Sequence, residues 1–201
     1  MTVRGVSERN VVANIATWSV QFSDTGTDLA AVQQSVDEQA KAVRAFFASA
    51  GLKPDDVTDV DVSLSRQQPR EGETGPERLT VSRTIQLRTT DVLKARAAYA
   101  RQTELLRNGV ELGSGTIAYS FTGLNQLKPT MIAEANRNAR TSAEQFARGS
   151  GVDVGRMKSA SQGYFSVGAR DGEDCDDCNS GGGSTPFQKV RVVTTIEYDL
   201  G

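Results

Sequence analysis

The side chains best suited to chemistry crowd into one stretch. Between positions 171 and 178 lie five carboxylates, Asp171, Glu173, Asp174, Asp176 and Asp177, and the chain's two thiols, Cys175 and Cys178, in a C-x-x-C spacing. Carboxylates favour hard cations such as calcium and thiolates favour soft ones such as zinc, so the mixture selects neither. A closed zinc site needs four ligands, and no second Cys or His pair exists to complete one. The calcium-loop pattern D-x-[DN]-x-[DN]-G, started at Asp174, meets Asp176 but then puts Cys178 at the third ligand position and Asn179 where glycine is required. Redox chemistry is the remaining option. A C-x-x-C pair is activated at a helix N-terminus or beside cations, whereas acidic neighbours disfavour the thiolate. We therefore assign no catalytic residue, no cofactor and no metal ligand. Cys175 and Cys178 are read as a disulfide pair in an oxidising compartment, or as a weak redox pair. They sit on an acidic loop at 168–186 that the Ser180-Gly181-Gly182-Gly183-Ser184 run makes mobile.

The remaining residues narrow the chemistry further. The chain has 201 residues and no histidine, which removes the serine triad, the Cys–His dyad and every His-ligated metal. The serines have no imidazole partner, and no local signature marks a Ser–Lys pair. Gly181-Gly182-Gly183 lacks the lysine of a phosphate loop and precedes a strand instead of a helix. Arg137, Arg140 and Arg148 are expected on the wet face of a helix, and Trp18 in a core. Lys plus Arg is 23 against 25 for Asp plus Glu, a net charge of −2, so the broad positive field of a nucleic-acid binder is missing. No stretch approaches the roughly 20 apolar residues of a membrane span, and no signal peptide is visible.

The elements that must hold these residues follow from periodicity. Strands are expected at 3–7 and 15–22, the latter with Trp18, Val20 and Phe22 alternating with polar partners. Ser23, Asp24, Thr25 and Gly26 form a turn cluster. A helix capped by Thr27 or Asp28 carries the stripe Leu29, Val32, Val36, Ala40, Val43 and Phe47, and Gly51 stops it. Strands at 57–64 (Val60, Val62, Leu64) and 79–87 follow, then a helix at 91–108 burying Val92, Ala95, Tyr99 and Leu106. A strand at 116–121 leads to a third helix, capped by Asn125 with Pro129 in its first turn. Its buried face is Met131, Ala135, Ala139, Ser142 and Phe146. Strands at 157–167 and 190–200 close the chain, the last with Val190, Val192, Thr194, Ile196 and Tyr198 on one side.

The order is ββ-α-ββ-α-β-α-ββ, with an internal echo: a helix, Gly51-Leu52 and a strand pair, then a helix, Gly151-Val152 and a strand pair. The expectation is an α+β fold, in which two related α-β-β units form a mostly antiparallel sheet with helices packed on one face. It is read as a single domain over 1–201, with pseudo-repeat halves of about 1–90 and 91–201.

The opening, Val3-Arg4-Gly5-Val6-Ser7-Glu8-Arg9-Asn10-Val11-Val12-Ala13-Asn14-Ile15-Ala16-Thr17-Trp18, resembles that of bacterial SIMPL-domain proteins. The close, Lys189-Val190-Arg191-Val192-Val193-Thr194-Thr195-Ile196-Glu197-Tyr198, resembles their ending, and the Ala-rich 135–151 segment is similar to their helix before the last strand pair. The resemblance implies an α+β protein that is periplasmic, secreted or membrane-anchored facing the periplasm, its leader absent from this sequence. It also implies large oligomers in some members and a role in oxidative-stress defence in others. It carries over no catalytic residues. The expected function is a non-enzymatic extracytoplasmic assembly or binding protein that forms a homo-oligomer, with no nucleic-acid partner, an unknown ligand and a membrane anchor conceivable in the full-length protein. The rival is a thiol-redox or metal-binding protein built on Cys175 and Cys178. A third reading is a small-molecule binder in a groove between sheet and helices.

Overall fold

A computed structural model describes residues 1–68, 75–171 and 183–201. In chain order the elements are β1 (Thr2–Val12), β2 (Ile15–Gly26), α1 (Leu29–Ser49), a short 3-10 turn (Pro54–Asp56), β3 (Val57–Gln67), β4 (Arg78–Thr89), α2 (Val92–Ala100), α3 (Thr103–Arg107), β5 (Leu112–Ser120), α4 (Leu124–Ser150), β6 (Val154–Gln162), β7 (Ser166–Ala169) and β8 (Phe187–Leu200). The fold is α+β, with two mostly antiparallel sheets. The chain divides into two compact units, one of Met1–Ala13 with Ser120–Gly201 and one of Asn14–Tyr119.

These units do not divide the chain at the sequence halves of about 1–90 and 91–201. The cause is β1. It pairs antiparallel with β8 along its whole length, from Thr2 opposite Glu197 to Val12 opposite Phe187, and so joins the layer built by the end of the chain. Once β1 is counted there, the echo becomes a shared topology. Each unit runs strand, helix, strand, strand. In one the strand order is β3-β4-β2, extended by β5; in the other it is β6-β8-β1, with β7 also on β8. The helix stops match as well. Gly51 and Gly151 both adopt the left-handed conformation, at φ 74° and 71°. Beyond them Leu52 N–H donates to Phe47 O and Val152 N–H to Ala147 O, each at 3.1 Å, closing the same six-residue cap.

In the Asn14–Tyr119 unit, Asp28 caps α1 by accepting the Ala30 N–H at 2.9 Å. Val32, Val36, Val43, Phe46 and Phe47 of α1 cover the inner face of β2 and β4. Trp18 is fully buried there, edge-on to Phe47 and Tyr99 with ring centroids at 5.1 and 5.2 Å. Such packing adds about 0.5–1.5 kcal/mol per pair beyond area burial. The expected turn at 23–26 is instead the end of β2, because Gly26 still pairs with Leu79 of β4. The expected helix at 91–108 breaks after Ala100. Arg101 and Gln102 bond three residues back, to Ala98 O and Tyr99 O, and the new direction buries Leu105 and exposes Leu106.

In the other unit, α4 lies on β1 and β8. It buries Met131, Ala135, Ala139, Ala143 and Ala147. The expected face ended instead on Ser142 and Phe146, and Phe146 is 68% exposed. A strict four-residue step advances by about 40° around the helix each time, so the buried stripe drifts away from position 146. The N-cap is Gly123, not Asn125, and Pro129 lies inside the helix rather than in its first turn. Small residues let the helix approach closely. A Cβ on Gly5 would stand 2.0 Å from Ala135 O and 2.8 Å from the Ala139 Cβ. Val190, Val192, Thr194, Ile196 and Tyr198 of β8 are all buried, as their alternation predicts. The expected 157–167 strand is two pieces, β6 and β7, separated where Gly163 N–H turns to Val193 O at 2.8 Å.

Candidate functional site

Cys175 and Cys178, with Glu173, Asp174, Asp176 and Asp177, lie outside the described residues, as does the loop core at 172–182. At the edge of that loop Asp171 is described. Its two carboxylate oxygens accept from Arg170 Nε and Nη2, each at 2.8 Å, and this pairing holds its carboxyl below the usual range. Of the three arginines expected on a wet face, Arg140 pairs with Glu144 at 2.9 Å, and Arg148 donates to the Glu144 carbonyl. Arg137 lies on the exposed side of α4.

Other charged groups link elements. Glu134 on α4 accepts from Ser7 Oγ at 2.9 Å and from Arg9 Nη2, both on β1. The Arg9 hydrogen bond, then that of Ser7, holds the Glu134 carboxyl below its ordinary value. The Ser7 and Arg9 contacts to Glu134 fasten α4 to β1. In the other unit Arg83 donates to Asp37 Oδ1 at 2.7 Å and to Asp59 Oδ1 at 3.0 Å, and Arg44 donates to Asp59 Oδ2 at 2.7 Å. Tyr119 is raised above its usual value by burial, with the Arg96 charge opposing. Among the described residues no three Cys, Asp or Glu side chains converge as a ligand set. No described helix is long and apolar enough to cross a membrane.

The unusual surface is a strand edge. β3 is an outer strand of its sheet, and among the described residues it pairs only with β4. Val60, Val62 and Leu64, the alternating residues of the expected 57–64 strand, are 55%, 62% and 45% exposed. The register explains it. Val57 still faces the core opposite Leu87, then an extra residue enters between Asp59 and Asp61. Beyond that bulge Val62, Leu64 and Arg66 stand opposite Arg83, Val81 and Leu79, on the side that carries α1, and among the described residues no strand lies beyond β3. Alternation in sequence is identical for a covered and an uncovered strand, so periodicity could not find this edge. At the foot of β3 a groove of about 290 Å³ is lined by Arg44, Ala45, Phe47, Ala48, Leu52, Pro54 and Val57.

The other outer strands are blunted. The Val6 N–H of β1 is taken by the Asn138 side chain of α4 at 3.3 Å. β6 has two register breaks against β8, and β7 is four residues long. β5 presents Gly113, Ser114, Gly115 and Thr116, small and polar. Natural sheets protect edges by such devices. In β3 the bulge and Asp59 protect only the first half.

Two layered β-α-β-β units carrying an open strand edge, with no assembled catalytic constellation among the described residues, define an α+β protein whose most distinctive feature is a surface. The chain belongs to the SIMPL family, described as a protein of unknown function (DUF541), whose sequence pattern matches residues 1–198. No curated protein matches it. One solved structure with some likeness is "The crystal structure of AtUAH in complex with (S)-hydroxyglycine", at 16% identity and a TM-score of 0.29. The likeness covers 63% of this chain and spans about a third of that one, 33%. At that score it carries no argument about fold or function.

Proposed function

We propose that this protein is a non-enzymatic extracytoplasmic module that acts by self-association, as an assembly or binding component of the cell envelope or of oxidative-stress defence. The observation that carries this reading is the uncovered second half of β3. It offers backbone donors and acceptors together with an apolar row on one face, which is what a sheet edge needs to recruit another strand. The absent imidazole supports it, because the commonest acid–base and nucleophilic devices are then unavailable.

Light scattering coupled to size-exclusion chromatography tests the reading. A mass of at least two chains supports it; a monomer at every workable concentration overturns it. The setting is tested separately. Fractionation should place the native protein outside the cytoplasm. A deletion strain challenged with peroxide should be rescued by a Cys175→Ser, Cys178→Ser copy if assembly, and not thiol chemistry, is the active property. Loss of rescue in that strain would favour the thiol reading.

A further inference from the structure

We propose that the partner of β3 is β3 of a second copy of this chain, paired antiparallel through residues 61–65 with the two Ser63 residues facing each other across a two-fold axis. This rests on the self-association proposed above and names its surface. Three observations converge on it.

The first is the location of the free edge. Past the Asp59–Asp61 bulge the register of β3 with β4 is unbroken to Gln67 opposite Arg78, so this half is a regular strand with one open side. The second is the apolar row. In a two-fold antiparallel pair directly opposed residues share a face, so the pairing sum must be even. Centring on Ser63 opposes Val62 to Leu64 of the other copy, twice, and Asp61 to Ser65. Val62 and Leu64, both exposed, then gain an apolar cross-strand partner on the face that carries α1. Centring on Leu64 would instead oppose Val62 to Arg66, and centring on Val62 would draw the bulge into the ladder.

The third observation is charge. The start of β3 is acidic, with Asp55 and Asp56 in the preceding turn and Asp59 and Asp61 in the strand, while its end carries Arg66 beside Arg78 of β4. Antiparallel pairing brings the basic end of each copy to the acidic start of the other. With Ser63 on the axis, Arg66 of each copy lies just past the 61–65 ladder, at the acidic start of the other. Parallel pairing would place acid on acid. Among the described residues Asp61 and Arg66 have no ion-pair partner within the chain.

A single cysteine reports this directly. Opposed residues of an antiparallel pair have Cα atoms about 4.5–5.5 Å apart, inside the span a disulfide bridges. In the Cys175→Ser, Cys178→Ser full-length chain, Ser63→Cys should oxidise to a covalent dimer at least roughly tenfold faster than Thr116→Cys on the β5 edge, because the two thiols are held together at high effective concentration. Equal rates for the two cysteines would overturn the assignment of β3. If the wild-type chain is multimeric by light scattering while Ser63→Cys fails to cross-link preferentially, the surface is wrong and self-association stands. If the wild-type chain is monomeric, both fall.

Discussion

At Gly5 the spacing between a strand and a helix is set by the absence of a methyl group. Gly5→Ala forces α4 off β1, since its Cβ would overlap the Ala135 carbonyl and the Ala139 side chain. We expect a loss of about 1–3 kcal/mol, the range for overpacking a well-filled contact, read by urea denaturation. Gly168→Ala, in β7 with nothing within 4 Å of the new methyl, should instead raise the midpoint slightly, because there alanine only reduces unfolded-state freedom. Glu134 gives a pH signature on the same helix–strand contact. Arg9 and Ser7 hold its folded-state carboxyl below the ordinary value of 4.5. A group with a depressed folded value stabilises the fold above its unfolded value, and that contribution is lost as pH falls through the folded one. Thermal stability should therefore fall on acidification below about pH 4.5, and Glu134→Gln should flatten that part of the profile. An unchanged acid limb in the variant would remove the linkage.

The helix ends carry the same logic at the scale of elements. Gly51 and Gly151 occupy left-handed positions that cost an L-residue about 1–2 kcal/mol. Gly51→Ala and Gly151→Ala should each destabilise by that amount. Gly149→Ala, two residues earlier and inside α4, should instead stabilise by roughly 0.5–1 kcal/mol, because there glycine only adds unfolded-state freedom. The opposite signs within one helix end are the check, read as shifts in the denaturation midpoint. Elements whose pattern is local were legible in the sequence. The alternation of β8, the cap at Asp28, the stripe of α1 and the paired Gly51-Leu52 and Gly151-Val152 stops all lie within a few residues of their cause. What depends on distant partners was not. The long β1 is held by β8, nearly the whole chain away. The ends of β2 are carried by β4, and the four-residue drift of α4 follows the surface beneath it. The candidate edge was the least legible, since Val60, Val62 and Leu64 alternate just as a covered strand does, and only the sheet order shows that no described strand lies beyond them. The thiol pair was the most conspicuous feature of the sequence, and it falls outside the described residues.

At the scale of the whole molecule, the proposed function is carried by a surface that would recruit a second copy. Each unit buries its apolar residues between one sheet and its own helices, and the sheet of the Asn14–Tyr119 unit keeps one open, partly apolar edge. Lysine on an edge strand is the device by which soluble sheets prevent strand addition. Val62→Lys with Leu64→Lys places two at exposed positions, where the fold itself has little to lose. The direct measurement is the molar mass of the wild-type chain and of this double variant by light scattering at equal concentration, with thermal midpoints recorded alongside. The account predicts at least a dimer for the wild type, half that mass or less for the variant, and matching midpoints once the contribution of association is allowed for. A wild-type monomer, or a folded double variant with the wild-type mass, would contradict it.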